Sequence, residues 1–133
     1  MAPAGWGVLG EELEADVRRV ADRLRSLSQA RLAAPAPPHE SRADAARAAA
    51  QTLAKAAQCL AERESGVEPS WRPLPVLSDF AVGDQVAVTG HDLLAELGAV
   101  PPDDVVWGSG SPRTAFEVVT AAAFALAQTR RLL

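Results

Sequence analysis

Tyrosine is missing from this chain, aromatic residues make up only 5% of it, and cysteine, lysine and methionine occur once each. With so few rings, a core has to be built mainly from Ala, Leu and Val, small residues that suit helices lying close together. The lone Cys59 excludes an intramolecular disulfide and is compatible with a reducing compartment; among its alanine neighbours it reads as small apolar filler. Basic charge is in deficit as well, with a formal net charge of -4. A nucleic-acid binder usually carries a basic excess on one face, because released counterions drive its affinity. Long apolar runs are lacking too. The longest, VVTAAAFALA at 118–127, is too short to span a bilayer, and the opening MAPAGWGVLGEELEA has no basic segment followed by an apolar one. The expectation is a cytoplasmic protein with no membrane span and no export signal.

The 133 residues that remain to be explained are 48% hydrophobic and 23% charged, enough for one domain that buries roughly two thirds of its unfolded surface. Four segments carry helical periodicity. Leu13, Val17, Val20, Leu24 and Leu27 recur every three or four residues and predict a first helix over 11–33, stopped by PAPP at 35–38. Its Arg18, Arg19, Arg23, Arg25 and Arg31 are balanced by Glu11, Glu12, Glu14, Asp16 and Asp22, so a solvated face is expected rather than a nucleic-acid patch. A second helix over 41–65 opens on Ser41 and Asp44 and ends at Gly66, with Ala46, Ala49, Leu53, Ala57 and Leu60 facing inward. The three prolines of GVEPSWRPLPVLS predict a stiff, extended strap over 66–78, which Trp71, Leu74, Val76 and Leu77 could pin down. After a loop over 98–111, Ser111-Pro112 predicts a fourth helix over 112–131. That helix is apolar nearly all round, which implies a central position or cover by another subunit.

The third segment, VGDQVAVTGHD at 82–92, has two readings. Val86 and Val88 alternate as in a strand, but one hairpin is not stable alone and little else in the chain alternates. A helix over 79–97, capped by Ser78 or Asp79, puts Val82, Val86, Thr89, Leu93 and Leu97 on one stripe with Gly83 and Gly90 beside it. Two interior glycines cost about 1 kcal/mol each relative to alanine, so close approach by a neighbouring helix should offset them. The expected fold is therefore all-α, a four-helix bundle-like single domain with a proline-rich strap between its second and third helices.

Chemistry is sparse. Asp84 and His91 stand about 10.5 Å apart along a helix and cannot touch. His91 has only Ala87, Val88, Leu94 and Ala95 three and four residues away, so any orienting partner must come from another helix. His39, the His91-Asp92 doublet and Asp103 or Asp104 imitate the ligand order of all-helical His-Asp phosphohydrolases, but His39 sits in a proline turn and Asp103 follows two prolines. WGSGSPRT at 107–114 offers loop amides and Arg113 to an anion without the phosphate-cradle spacing. Ligand candidates are Asp84, Gln85, His91, Asp92 and Arg113. No catalytic residue, metal ligand or cofactor is assigned. Trp6, Trp71 and Trp107 fall outside the predicted helices, where they plug helix ends or meet a partner; Trp71, Trp107, Phe116 and Phe124 are the partner-contact candidates.

RLRSLSQARL at 23–32 and FAVGDQVAVTGHDL at 80–93 resemble segments of a group of short actinobacterial proteins without an assigned activity. The resemblance implies a bacterial cytoplasmic origin and no particular reaction. The functional expectation is a non-enzymatic module acting through a protein partner or its own dimer. A small-ligand or hydrolase-like site around His91 and Asp92 is the alternative, and regulatory nucleic-acid binding through the first helix is the third reading.

Overall fold

A computed structural model describes residues 5–108 and 110–133; residues 1–4 of the opening stretch and Ser109 of the glycine-serine loop lie outside the described residues. About two thirds of what is described is helical. The helices are α1 (Gly7–Ser26), α2 (Gln29–Ala33), α3 (Arg42–Ala61), α4 (Val82–Leu97) and α5 (Ala115–Leu132). A small antiparallel pair, β1 (Val105–Trp107) and β2 (Pro112–Thr114), qualifies the all-α expectation.

The first predicted helix is two. Leu27 leaves the helical region at ψ 139, and Ser28 starts α2 by accepting a hydrogen bond from the Arg31 amide. The leucine seam runs on through the break, so periodicity alone conceals it, while the serine cap reveals it. Helix α3 begins as expected, with the Ser41 hydroxyl accepting from the Asp44 amide, and a single 3-10 turn carries the chain to Gly66 at φ 72. Neither Ser78 nor Asp79 caps α4 through its side chain: a 3-10 turn over Asp79–Ala81 precedes it, and the Asp79 carboxylate accepts from Arg47 and Gln29 instead. Ser111-Pro112 does not open the last helix. Thr114 and Glu117 form a reciprocal capping box there, satisfying two amides where Ser111 could offer one bond, and Pro112 is left in β2.

The four long helices form a closed circuit, in which α1 and α3 each pack on α4 and α5. Their directions follow from which residues meet. Gly90 lies beside Val17 and Gly83 beside Ala21 and Arg25, so α4 runs antiparallel to α1. Arg42 donates to the Leu132 carbonyl while Cys59 faces Val118, so α5 runs antiparallel to α3. Arg47 meets Asp79 and Arg63 meets the Ala99 carbonyl, which makes α3 and α4 parallel.

Parallel neighbours need a long connection, and the strap supplies it. The 20 residues of α3 rise about 30 Å. Thirteen extended residues, at about 3.1 Å each, reach roughly 40 Å. Side chains of α3 hold the strap at successive heights. Gln58 donates to the Ser70 carbonyl (2.7 Å) and accepts from the Arg72 amide (3.3 Å), Gln51 accepts from the Leu74 amide (3.0 Å), and Arg47 donates to the Leu77 carbonyl (2.8 Å). From α4, Gln85 donates to the Pro75 carbonyl (2.8 Å). Pro73 and Pro75 have no amide proton to satisfy, so a few glutamine contacts meet the needs of this backbone. Trp71 and Leu74 lean on the core, as expected; Val76, at 88% exposure, and Leu77 do not. The correction follows from Arg47, which holds the strap here by its backbone and leaves both side chains outside.

The core runs through Leu13, Val17 and Leu24 of α1, Leu53 and Leu60 of α3, Val86 and Leu93 of α4, and Val119 and Leu126 of α5. Trp6 closes one end, 4% exposed, its indole donating to the Val100 carbonyl at 2.9 Å. The helix buried nearly all round is α3, not the last one: Ala43, Ala45, Ala46, Ala49, Ala50, Ala56 and Ala57 let its neighbours approach from several sides.

Candidate functional site

The expected ligand residues on α4 divide between its two edges. Asp84 and His91 face the α1 seam: Arg25 clasps the Asp84 carboxylate at 2.8 Å, and exposed His91 borders a shallow groove with Glu14, Arg18 and Leu94. Gln85 and Asp92 face the other way, Gln85 engaged by the strap and Asp92 beside Pro73 and Leu74. No single pocket gathers the four. Among the described residues no three His, Cys, Asp or Glu side chains cluster as a metal would require, and Asp104 of the imitated ligand order instead pairs with Arg63 at 3.6 Å. On α1, Arg18 pairs with Glu14, Arg19 with Asp16, and Arg25 with Asp22 as well as Asp84.

Arg113 and Trp71 do come together, in a trough between α3 and α5. On α3, Thr52, Lys55, Ala56 and Cys59 fall on one face by the three-and-four spacing of a helix; on α5, Val118, Ala121 and Ala122 face them. Small residues on both sides leave a cavity of about 370 Å³. Trp71 of the strap forms one wall, with the Lys55 ammonium 5.7 Å from its ring centroid, within cation–π range. Arg113, opposite Val106 in the β1–β2 ladder, closes one end by lying across Gly108. A Cβ on Gly108 would stand 2.8 Å from the Arg113 Cδ, so the stem lies directly against this glycine and would shift to admit a larger residue.

The carboxylates around this trough are engaged elsewhere. Glu117 accepts from the Thr114 amide and hydroxyl, and those bonds hold its carboxyl below the usual range, with a further contribution from Arg113. Glu62 accepts from Gln58 and pairs with Arg72. Glu68 accepts from the Gly110 amide. Among the described residues, Lys55 and Arg113 have no carboxylate within ion-pair distance. Cys59 lies on the floor, 4% exposed, and burial pushes its thiol up to about 11. A thiol so protonated is wall material and a poor nucleophile.

Set against protein-family models, curated proteins and solved structures, the chain matches none. Geometry alone therefore ranks its surfaces. Trp107 is half-buried at the end of β1. Phe116 and Phe124 are 50% and 61% exposed, and with Thr120 they fall at four-residue steps along one ridge of α5. Val105, opposite Thr114 in the ladder, is exposed near the same end. No helix among the described residues is long and apolar enough to cross a membrane. Sequence reasoning missed Lys55, Thr52 and Glu117 as neighbours of Arg113. The available signal was that Lys55 is the one lysine of the chain and stands one turn before Cys59.

Proposed function

We propose that this chain is a non-enzymatic association module of the cytoplasm, a four-helix bundle that pairs with a second copy of itself through the outer face of α5. The observation that carries the proposal is the Phe116–Thr120–Phe124 ridge. It presents two large rings to solvent over about 12 Å, on a helix whose opposite face already serves the core. Buried aromatic side chains contribute 150–250 Å² each, roughly, and dominate interface energetics. A straight ridge with a small polar residue at its centre suits a two-fold axis, because each phenylalanine then meets the partner's ridge across the Thr120 midpoint. The closed circuit of long helices supports the bundle reading, and the single buried cysteine is compatible with a reducing compartment.

Light scattering across low micromolar to millimolar concentration tests the pairing. The wild-type chain is expected to pass from one copy to two, and Phe116→Glu with Phe124→Glu is expected to raise the dissociation constant by at least about thirtyfold. Both side chains are exposed, so at concentrations where the wild type is a single copy the variant should melt at the same temperature and so show that it is folded. A wild-type chain that scatters as a single copy throughout would overturn the proposal.

A further inference from the structure

We infer that the trough between α3 and α5 is a binding site for a small amphipathic carboxylate, an acid with an aromatic or branched apolar body. The site is separate from the outer ridge of α5 and does not depend on pairing. Two features of the trough define its occupant. Its floor and sides, from Ala56, Cys59, Val118 and Ala122, are apolar and offer no directional bond, while Trp71 supplies a flat wall for a ring or a branched chain. Its rim carries Lys55 and Arg113, neither within ion-pair distance of a carboxylate among the described residues, in a chain that is acidic overall. Nearby acids are committed: Glu117 to the capping box, Glu62 to Gln58 and Arg72, and Glu68 to the Gly110 amide. An incoming carboxylate thus meets charge-assisted donors that are held in no ion pair with the described residues, with the capping-box carboxylate of Glu117 as the one like charge on the described lining, beside Arg113. The guanidinium can grip both oxygens, with its stem steadied over Gly108, while the ammonium at the Trp71 ring neutralises the charge from the α3 side. A cavity of about 370 Å³ lies at the small end of the range for ligand sites, which selects compact acids over long chains.

Naphthoate is a suitable probe, compared with the neutral naphthamide of nearly the same shape. Calorimetric titration of the full chain should give naphthoate a dissociation constant on the order of 0.1–1 mM, the range expected for a ligand of this size. Naphthamide should bind about tenfold more weakly or worse, and Lys55→Gln with Arg113→Gln should erase that preference by weakening naphthoate about tenfold. Ala121→Phe, at an exposed position on the trough wall, should block both ligands without entering the core. Quenching of Trp71 fluorescence should follow the calorimetric curve in the wild type and vanish in Trp71→Phe. The inference is overturned if naphthoate does not bind the folded wild type, if the amide binds as well as the acid, or if the double glutamine variant, shown folded by its melting curve, binds like the wild type.

Discussion

Two helix seams of this molecule are built from small residues, and they end differently. Along α1 and α4 the missing side chains are filled. A Cβ at Gly90 would stand 2.5 and 2.7 Å from the two Val17 methyl carbons, and one at Gly83 would meet the Ala21 carbonyl oxygen at 3.1 Å. Valine occupies the space at one glycine, and the Arg25 stem together with α1 backbone occupies it at the other. Along α3 and α5, Ala56 and Cys59 face Val118, Ala121 and Ala122, no side chain of either helix fills the gap, and a trough remains. In these two seams the gap beside a small residue closes where the opposite helix supplies something to fill it, and stays open where small residues face each other.

Substitution at Gly90 should break that contrast most sharply. Alanine improves helix propensity by about 1 kcal/mol at an unhindered position, but here the new methyl overlaps Val17 and the net cost should reach about 2 kcal/mol. Urea denaturation measures it, and Val17→Ala in the same chain should return most of the loss. A cost unaffected by that second change would mean the seam is not closed by this contact. Next in size is the Cys59 effect on the trough floor. Its folded thiol titrates near 11 against an ordinary value of 9.0, so the folded chain holds its proton where the unfolded chain has lost it. This contribution is complete below pH 9 and is lost as pH rises toward 11, an effect on the order of 2 kcal/mol. The wild type should lose stability over that interval more steeply than Cys59→Ala, and iodoacetamide at pH 8 should alkylate native chain far more slowly than urea-unfolded chain. Smallest is Ala121→Leu. The same kind of added bulk that Gly90 rejects should change stability by no more than about 0.5 kcal/mol here, because the side chain enters open space.

Residues that act through their own helix were legible in the sequence. The stripe from Val82 to Leu97, the need for close contact at Gly83 and Gly90, the Ser41 cap and the Gly66 stop all follow from local spacing and backbone preference. The break at Leu27 and the start of α5 were misplaced although Ser28 and the Thr114–Glu117 pair are both visible in the chain. A continuous apolar seam masked the first, and a neighbouring Ser-Pro competed with the second. The trough itself was out of reach. Trp71, Lys55 and Arg113 come from a strap, a helix and a strand, and only the parallel setting of α3 and α4 carries Trp71 back along α3 to meet the other two. Strap length did hold a clue to that setting, since antiparallel neighbours need far fewer residues to join them.

The crossover between α3 and α4 ties the direction of α4 to chain length. If residues 66–78 were cut to a tight turn, the chain could no longer return to the start of α3, and α4 would have to enter inverted. The contact of Val17 with Gly90, and of Ala21 and Arg25 with Gly83, would then be lost. This extended segment has the reach that lets its neighbour run parallel to α3.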